Sequence, residues 1–351
     1  MMKKFILIFI LIVSFSCKDK TAENPSEEKI ISNTETALVD FTMVFASCNH
    51  QNMEQPLWKP IIETKPDLFV WGGDNIYADT SDMNIMEAEY NKIATQPDYV
   101  KLASTTKIIG TWDDHDYGKN DAGVEWGFKA EAQQKFLDFL KVSEDDIRRS
   151  REGVYYVETF TTPKGSIKVI LLDTRYFRDS LLKSPIKGVR YQPWLKGEGG
   201  TVLGEAQWKW LKNELEDTAP TFTVIVTSIQ FLSNEHGWEK WGNHPDEVEK
   251  MYQTIKNAKA ANIFMLSGDR HLAEFSVNEV EGLNYPLIDF TTSGLTKTYP
   301  DSPVDSNRYR KGKQIRELNF GLLQFDFENK KVTMEIRGAE NKVYETLVQE
   351  Y

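Results

Sequence analysis

Four separate segments of the chain carry side chains that commonly bind metal ions. They are Ser-Cys-Asn-His at 47–50, Gly-Gly-Asp-Asn-Ile-Tyr at 72–77, Trp-Asp-Asp-His-Asp at 112–116 and Ser-Gly-Asp-Arg-His at 267–271. One Gly-Asp pair alone is more often a turn, because the aspartate hydrogen-bonds its own backbone. In contrast, the three carboxylates at 113–116 repel one another unless cations neutralise them. Together the four segments predict a metal site.

The types of side chain restrict the metal. Carboxylates suit hard cations such as Ca²⁺, Mg²⁺ and Mn²⁺, whereas imidazole and thiolate suit iron or zinc. A mixed set predicts two unlike ions that share a bridging carboxylate. A phenol has a pKa of about 10, so Tyr77 as a ligand indicates ferric iron, and packing beside a strand is its alternative. Asp269 and His271, two residues apart, can point the same way from an extended segment.

Each of the four segments follows a predicted strand, and ligands of open α/β sheets bind beyond the carboxyl ends of the strands. Helices are predicted from the spacing of apolar residues, and a C-terminal hairpin from two flanking strands. Strands that alternate with helices indicate the α/β class. The predicted strands, mostly continuous apolar runs, are 41–46, 67–71, 107–111, 168–172, 222–227 and 262–266. The predicted helices are 128–140, 205–215 and 245–258, and the hairpin strands are 321–327 and 331–337.

The N-terminal residues predict export. Lys3 and Lys4 precede an apolar stretch at 5–15 that is too short to span a bilayer, which is typical of a signal peptide. A small residue before Cys17 favours a bacterial lipoprotein acylated on this cysteine, and an ordinary signal peptide cut nearby is the alternative. We therefore expect an exported, membrane-anchored lipoprotein of a bacterium, in the periplasm or on the cell surface. The predicted domains are a lipoprotein signal peptide at 1–17, a flexible polar tether at 18–37 and one large domain at 38–351.

Charge and cysteine content add two constraints. The formal net charge of −11 argues against binding of nucleic acid by bulk electrostatics. Nothing in the sequence indicates an obligate protein partner. Cys17 and Cys48 are the two cysteines, so acylation of Cys17 leaves Cys48 without a disulfide partner. In an oxidising compartment, a lone thiol needs another reason to be present.

Six motifs, in order, resemble those of the PhoD-like alkaline phosphatase D family. They are Phe-Ala-Ser-Cys at 45–48, Gly-Asp-Asn-Ile-Tyr-Ala-Asp at 73–79, Trp-Asp-Asp-His-Asp-Tyr-Gly at 112–118, Leu-Asp-Thr-Arg at 172–175, Leu-Gly-Glu-Ala-Gln-Trp-Lys-Trp-Leu at 203–211 and Gly-Asp-Arg-His at 268–271. The resemblance implies a calcineurin-like metallophosphatase sandwich with two central β-sheets flanked by helices. It also implies hydrolysis of phosphate mono- and diesters with two or more metal ions, Fe³⁺ and Ca²⁺ first, with Zn²⁺, Mn²⁺ or Mg²⁺ as alternatives. Many members carry an extra β domain, for which the sequence before residue 41 leaves no room.

The resemblance further implies roles for individual ligands. Asp74 would bridge the two ions and Asp269 would bind the second, although Asp269 and His271 could exchange ions. Either Asp113 or Asp114 would complete the second site, and we favour Asp114. It directly precedes a histidine, as asparagine does in the wider metallophosphatase motif. The implied iron ligands are Cys48, Asp74, Tyr77 and His271.

Two residues are candidates for catalysis. His115 is expected to contact the phosphate or to protonate the leaving group, after a metal-activated water attacks phosphorus. Arg175 is a candidate for stabilising charge on the phosphoryl group, although we favour an ion pair with Asp173 or Asp179 for it. The basic residues at 296–316 could steer anionic substrate towards the site, whereas most charge runs are solvated surface.

Three features are set aside. Gly-Asn-His at 242–244 spells a motif of ordinary metallophosphatases, but it follows a loop rather than a buried strand, so we predict a surface loop. His50 and His236 are expected to lie behind the ligands or in solvent, and His50 is the better candidate for contact with the site. The absence of a Gly-x-Ser-x-Gly sequence argues against a serine hydrolase. The predicted function is that of a lipid-anchored phosphoesterase, and the alternative is a non-catalytic lipoprotein that binds phosphate or metal.

Overall fold

The computed structural model describes residues 39–351. The predicted signal peptide, the tether and the acylated Cys17 lie outside the described residues. The strands are β1 (Phe41–Ala46), β2 (Leu68–Gly72), β3 (Lys107–Thr111), β4 (Tyr156–Thr162), β5 (Gly165–Leu171), β6 (Leu182–Lys183), β7 (Tyr191–Gln192), β8 (Phe222–Val226), β9 (Ile263–Ser267), β10 (Ala273–Asn278), β11 (Leu287–Thr292), β12 (Arg310–Ile315), β13 (Phe320–Asp326), β14 (Lys331–Arg337) and β15 (Val343–Glu350). The helices are α1 (Trp58–Glu63), α2 (Met83–Ala94), α3 (Pro97–Thr105), α4 (Asp114–Tyr117), α5 (Lys129–Phe139), α6 (Gly204–Glu214) and α7 (Pro245–Lys256).

The strands form two large sheets. The first has the order β15-β14-β13-β1-β2-β3, in which β1, β2 and β3 are parallel and the C-terminal strands run antiparallel. The second has the order β12-β10-β11-β9-β8-β5-β4, and its centre, β5, β8, β9 and β11, is parallel. β6 and β7 form a separate ribbon. The predicted C-terminal hairpin is confirmed as β13 and β14.

The period of two along each strand creates three apolar layers. One face of each sheet packs against the other sheet, so that Phe45 of β1 and Val169 of β5 share a core cluster. The opposite face of the first sheet packs under α1, α2, α3 and α5, and that of the second packs under α6 and α7. Burying each large apolar side chain stabilises the fold by about 1.5–3 kcal/mol. The predicted sandwich of two central sheets flanked by helices is confirmed.

The carboxyl ends of the parallel strands in both sheets meet at one edge. Ser47, directly after β1, donates its hydroxyl to the carbonyl of Thr292 at the end of β11, at 2.9 Å. Thr111 at the end of β3 donates to the carbonyl of Leu172, directly after β5, at 2.7 Å. The loops that follow the strands of both sheets are therefore neighbours. No helix among the described residues is long and apolar enough to cross a membrane.

Candidate metal centre

Four of the sequence-predicted ligands adopt a strained backbone directly beyond strand ends. Cys48, Asp74, Asp269 and His271 have φ angles of 59°, 50°, 66° and 54°. This left-handed region costs a residue with a Cβ about 1–2 kcal/mol. Such residues persist only where the surrounding structure enforces them, and they cluster at functional sites. The strain therefore indicates that these loops adopt their conformations in order to position the ligand side chains.

The first group of ligands gathers around one carboxylate oxygen of Asp74. The Cys48 thiol lies 3.5 Å from Asp74 Oδ2, and the Tyr77 hydroxyl lies 3.2 Å from the same atom. The same Tyr77 hydroxyl lies 3.4 Å from His271 Nε2. His271 Nδ1 lies 2.9 Å from the carbonyl of Lys297, which leaves Nε2 directed at the group. Thiol, phenol, imidazole and carboxylate thus meet at one point.

The second group consists of carboxylates alone. Asp74, Asp113, Asp114 and Asp269 each offer an oxygen, and these oxygens all lie within 4.8 Å of one another. Asp113 Oδ2 and Asp114 Oδ1 are buried without a hydrogen-bond partner among the described residues. Burying a carboxylate oxygen without a partner costs free energy. This group therefore fits cations, which the free oxygens would coordinate. Asp74 belongs to both groups.

The electrostatics of the second group show how crowded it is. Burial, followed by repulsion from nearby carboxylates, raises the pKa values of Asp74 and Asp269 well above the ordinary range. Burial raises the pKa of Asp113 to about 7, although Arg175 opposes the shift. Burial also acts to raise the pKa of Asp114, but the charges of His115 and Arg175 hold it below its usual value. Ionisation of Asp74, Asp113 and Asp269 is therefore disfavoured unless cations are bound.

Asp113 and Asp114 are held differently. Asp113 Oδ1 accepts from Arg175 Nε at 2.6 Å and from the Ser228 hydroxyl at 2.5 Å. Asp114 Oδ2 accepts from the backbone N–H of Asp121 at 2.7 Å. Each aspartate thus keeps one oxygen for the carboxylate group. The structure brings both to the site, so the choice of Asp114 stays a prediction.

The predicted ion-pair partners of Arg175 are wrong. Its guanidinium binds Asp113 at 2.6 Å and Glu239 at 2.7 Å, and the side chain is fully buried. Asp173 instead accepts from backbone N–H groups, including that of Arg175 at 2.9 Å. Arg175 does not line the cavity described below. Its position is that of a residue that orients Asp113.

His115 lies at the entrance to the carboxylate group. Its Nδ1 is 2.6 Å from Asp79 Oδ2, and its backbone N–H donates to Asp74 Oδ1 at 3.3 Å. Its ring packs against that of Tyr77, with centroids 4.1 Å apart. Burial lowers the pKa of His115, but the carboxylates of Asp74 and Asp114 outweigh burial and raise it to about 11. The bond to Asp79 leaves Nε2 as the atom that can meet a ligand.

Glycine allows the loops to approach one another. Gly73 has a φ of +100°, and a Cβ there would lie 2.6 Å from the Cβ of Asp113. A Cβ on Gly268 would lie 2.6 Å from the Ser47 hydroxyl and 2.8 Å from a backbone carbonyl. A larger residue at either position would push two ligand-bearing loops apart.

A cavity of about 560 Å³ opens beside these groups. Asp114, His115, Asp269 and His271 line one part of it. Such a volume lies within the range of small-molecule sites. The candidate metal centre is therefore accessible from one side.

Several residues that shape the site were not predicted from the sequence. Glu239 pairs with Arg175 and also with Arg178, at 3.0 Å. Asp79 holds His115, as described above. Asp116, the last acid of Trp-Asp-Asp-His-Asp, accepts backbone N–H groups of Asp113 at 2.7 Å and Asn75 at 3.1 Å, so it shapes the loop.

The features set aside in the sequence have mixed outcomes. The Gly-Asn-His segment is not a surface loop, because Asn243, the last residue of a short 3₁₀ turn, and His244, which follows it, are fully buried. His244 packs against Gly200 and belongs to none of the acidic groups described above. His50 stacks on the Tyr77 ring, with centroids 5.0 Å apart, which places it behind a candidate ligand as expected. His236 is buried, and its Nδ1 accepts from a backbone N–H at 3.2 Å.

Comparison with known proteins identifies a family and several solved structures with a similar fold. The family model of the PhoD-like phosphatases matches residues 43–336. A structure of PhoD has a TM-score of 0.66 and 18% identity, with 89% of this chain and 69% of that chain covered. A dimetal phosphatase from Danio rerio has a TM-score of 0.55 and 13% identity, with coverage of 89% and 99%. GAP50, described as the anchor in the inner membrane complex of Plasmodium, has a TM-score of 0.56 and 15% identity, with coverage of 88% and 89%.

The two kinds of comparison differ in what they establish. At such low identity, the solved structures show a shared fold, and no curated protein sequence matches the chain. The family model covers most of the chain, and its match agrees with the ordered motifs in the sequence. The predicted family is confirmed: this chain belongs to the PhoD-like phosphatases.

Proposed function

We propose that this phosphatase is an exported, lipid-anchored enzyme that hydrolyses phosphate mono- and/or diesters with Fe³⁺ and Ca²⁺. The family match supports phosphoester hydrolysis. The observation that carries the metal dependence is the set of four carboxylates whose oxygens lie within 4.8 Å of one another. Zn²⁺, Mn²⁺ and Mg²⁺ are the alternative ions.

The two groups of side chains suit two different ions. Fe³⁺ would be held by Asp74 together with Cys48, Tyr77 and His271. The phenol oxygen and the thiol sulfur are donors that favour a strong Lewis acid. The carboxylates of Asp74, Asp269 and Asp113 or Asp114 would hold Ca²⁺, which prefers oxygen ligands. When bound, such a pair of ions supplies charge stabilisation for phosphoryl oxygens and a nucleophilic water at neutral pH.

The protein's own residues then complete the reaction. His115 donates a proton from Nε2 to the departing alkoxide, because Asp79 occupies Nδ1 at 2.6 Å and fixes the ring. The cavity reaches His115, so an ester oxygen can approach it. Arg175, bound to Asp113 and Glu239, keeps Asp113 in place and acts as a positioning residue.

Turnover and metal content test this proposal together. The purified full-length protein is assayed with p-nitrophenyl phosphate and bis-p-nitrophenyl phosphate, before and after chelation, alongside elemental analysis. We expect chelation to abolish hydrolysis and Asp74→Ala to lose both activity and metal. Full activity of Asp74→Ala would contradict the proposal. The alternative, a lipoprotein that binds phosphate or metal without catalysis, predicts bound metal but no turnover of either ester.

The lipid anchor rests on the sequence around Cys17, outside the described residues. Mass spectrometry of the N-terminal peptide from membranes tests it. We expect a diacylglycerol mass on Cys17 and release of Cys17→Ala from the membrane fraction. An unacylated mature N-terminus would contradict the anchor and leave the enzymatic proposal untouched.

A further inference from the structure

The cavity beside the metal centre is lined by both acidic and basic side chains. Its acidic floor comprises Asp114, Asp121, Glu239 and Asp269. Besides Arg190, which pairs with Asp121, the lining contains three cations, Arg270, Lys297 and Arg316, which we call the basic wall. The basic wall lies outside both groups of candidate metal ligands. Its charges therefore need an explanation of their own.

The charge of the floor is accounted for by groups already described. Asp121 pairs with Arg190, and Glu239 pairs with two arginines beneath the floor, Arg175 and Arg178. Asp114 and Asp269 belong to the carboxylate group of the metal centre. No floor carboxylate forms an ion pair with the basic wall among the described residues.

The charge of the basic wall is only partly balanced. Asp305 Oδ2 lies 2.9 Å from Arg270 Nη2 and 3.5 Å from Arg316 Nη2, so two guanidiniums share one carboxylate. Lys297 has no carboxylate within ion-pair distance among residues 39–351, and its ammonium lies 5.1 Å from the Tyr77 ring centroid. Three cations facing one anion leave an excess of two positive charges beside the metal centre.

Both guanidiniums also retain unused donors. The Nε atoms of Arg270 and Arg316 are buried without a hydrogen-bond acceptor within the described part of the chain. A buried donor without an acceptor costs about 1–3 kcal/mol, so the protein alone does not satisfy these two guanidiniums. The planar fork of arginine suits phosphate and carboxylate because it donates two parallel hydrogen bonds.

The protein holds these side chains in place before any ligand binds. Arg270 is 9% exposed and lies over the Trp238 ring, with its guanidinium carbon 5.3 Å from the centroid. Arg316 donates to the carbonyl of Pro303 at 2.7 Å and to Gln314 Oε1 at 2.9 Å. Preorganised charged groups lose little conformational entropy on binding, which is typical of a recognition site rather than of a mobile surface.

We propose that the basic wall binds a second anionic group of the substrate, a phosphate or carboxylate, while the ester phosphate lies at the metal centre. The proposal rests on the phosphoesterase function proposed above. The cavity volume of about 560 Å³ leaves room for more than one phosphate group. The preferred substrates are then esters whose alcohol part carries its own negative charge, such as bisphosphates or phosphorylated acids.

A matched pair of substrates separates this binding from catalysis. Butyl phosphate and 3-phosphonopropyl phosphate have similar chains, but the second ends in a phosphonate that a phosphoesterase does not cleave. We expect the wild-type protein to favour the phosphonate substrate about tenfold in kcat/KM, in line with one charge-assisted hydrogen-bond pair. The assay runs at high ionic strength, which suppresses long-range attraction and leaves close contacts.

Variants of the basic wall and one matched control complete the test. Arg316→Gln is expected to reduce the substrate preference about tenfold, and Arg316→Lys should retain part of it. Asp305→Asn removes the single counter-charge and should increase the preference. Arg308→Gln is the control, since Arg308 is an exposed arginine that pairs with Glu235 and does not line the cavity. Its substrate preference should equal that of the wild type.

Three results would overturn the proposal. They are equal kcat/KM for both substrates in the wild type, an equal loss for both substrates in Arg316→Gln, and an unchanged preference in both Arg316→Gln and Asp305→Asn. An equal loss would mean that the basic wall binds the ester phosphate, or free phosphate, instead of a second group. Melting temperatures of all variants identify misfolding, in which case Asp305→Asn decides.

Calorimetry gives a readout that does not depend on turnover. Propane-1,3-bisphosphonate and propylphosphonate are titrated into the metal-loaded protein and into Arg316→Gln. Tighter binding of the bisphosphonate by the wild type alone supports the basic wall, even where neither ester is hydrolysed. That combination would refute the proposed function only if p-nitrophenyl phosphate and bis-p-nitrophenyl phosphate are not hydrolysed either. Hydrolysis without any preference would refute only the inference.

Discussion

Replacing Asp74 by asparagine removes one charge from the point where both candidate ligand groups meet. The remaining carbonyl oxygen can still accept the backbone N–H of His115, which lies 3.3 Å from Oδ1. The new amide can donate to the Tyr77 hydroxyl, which lies 3.2 Å from Oδ2. The substitution therefore changes charge while it preserves shape and most hydrogen bonds. We expect it to stabilise the metal-free protein and to destabilise the metal-loaded protein.

The magnitude follows from the spacing of the carboxylates. At an effective dielectric constant of about 20, two full charges 4.8 Å apart repel by about 3.5 kcal/mol. Burial raises the pKa of Asp74, so part of this repulsion is already relieved by protonation and the expected gain is about 1–2 kcal/mol. That gain corresponds to a rise of about 2–6 °C in the melting temperature of the chelated protein. With metal present, each tenfold loss of affinity removes about 1.4 kcal/mol of stabilisation.

Thermal unfolding with chelator and with excess Ca²⁺ measures both effects. Asp116→Asn is the matched control, since Asp116 is a buried carboxylate of the neighbouring loop outside the carboxylate group. Its two oxygens accept from Asp113 and Asn75, and an amide would place a donor against another donor. The control should therefore melt at a lower temperature in both conditions. A lower melting temperature of metal-free Asp74→Asn would refute the electrostatic account of the site.

Three further predictions concern pH, catalysis and loop geometry. In the metal-free fold, burial raises the pKa of Asp113 to about 7 and that of Asp116 to about 8, both from 3.8. The protonated forms of these two groups stabilise the fold fully below about pH 4, and this stabilisation is lost as the pH rises to about 8. The urea midpoint of the chelated protein should therefore fall as the pH rises, and a rising midpoint would contradict the shifts. His115→Gln should lower kcat about 10²–10⁴-fold without changing the metal content. Phosphate release and elemental analysis measure the two quantities, and a parallel loss of metal would instead make His115 a metal ligand. Gly73→Ala should lower the free energy of unfolding in urea by about 1–3 kcal/mol. Gly127→Ala is the control and should lower it far less, because its added Cβ meets nothing within 4 Å. Equal losses would exclude the close approach of Gly73 to Asp113.

Most of the central strands could be predicted because burial on both faces leaves a continuous apolar run in the sequence. β11 was missed although it is fully buried, because three of its six residues, Leu-Ile-Asp-Phe-Thr-Thr, are polar. β1 and β3 have the predicted bounds, and the largest shift is at β5, which begins at Gly165 rather than at residue 168. β12 was not predicted, because its sequence Arg-Lys-Gly-Lys-Gln-Ile contains one apolar residue. It forms a strand by pairing with β10 at the sheet edge, a tertiary contact that local pattern does not report.

The helices show the same limit in another form. α2 has buried Met86, Tyr90 and Ile93 at spacings of three and four residues, so its signal was present in the sequence. α1 spans six residues, too few for a periodic pattern to stand out. Its place is fixed instead by Trp58, which packs against aromatic residues of β2 and α3. Short helices of this kind depend on tertiary packing more than on propensity.

The candidate ligands could be predicted for a geometric reason. Loops at the carboxyl ends of neighbouring parallel strands are close in space, so Cys48 and Asp74, which follow β1 and β2, converge wherever such a sheet forms. Asp269 follows β9 of the second sheet and joins them because the strand ends of the two sheets meet at one edge. The residues that hold the ligands follow no comparable rule. Glu239 lies 64 positions from Arg175, and Asp79 lies 36 positions from His115. Such pairs require the folded chain, because nothing local in the sequence marks either partner.

Acidic residues that form ion pairs with arginine stabilise the fold, whereas acidic residues without such a partner are the candidates for binding cations. The net charge of −11 says nothing on this point, since acidic surfaces are common. Asp121 and Glu239 each pair with arginine. Asp74, Asp114 and Asp269 have no lysine or arginine within ion-pair distance among the described residues, although Asp74 and Asp114 are buried and Asp269 is half-buried in the same group. Leaving such closely spaced carboxylates without counter-charge, two of them buried, is strongly unfavourable, so their convergence is itself a physical reason to expect cations there.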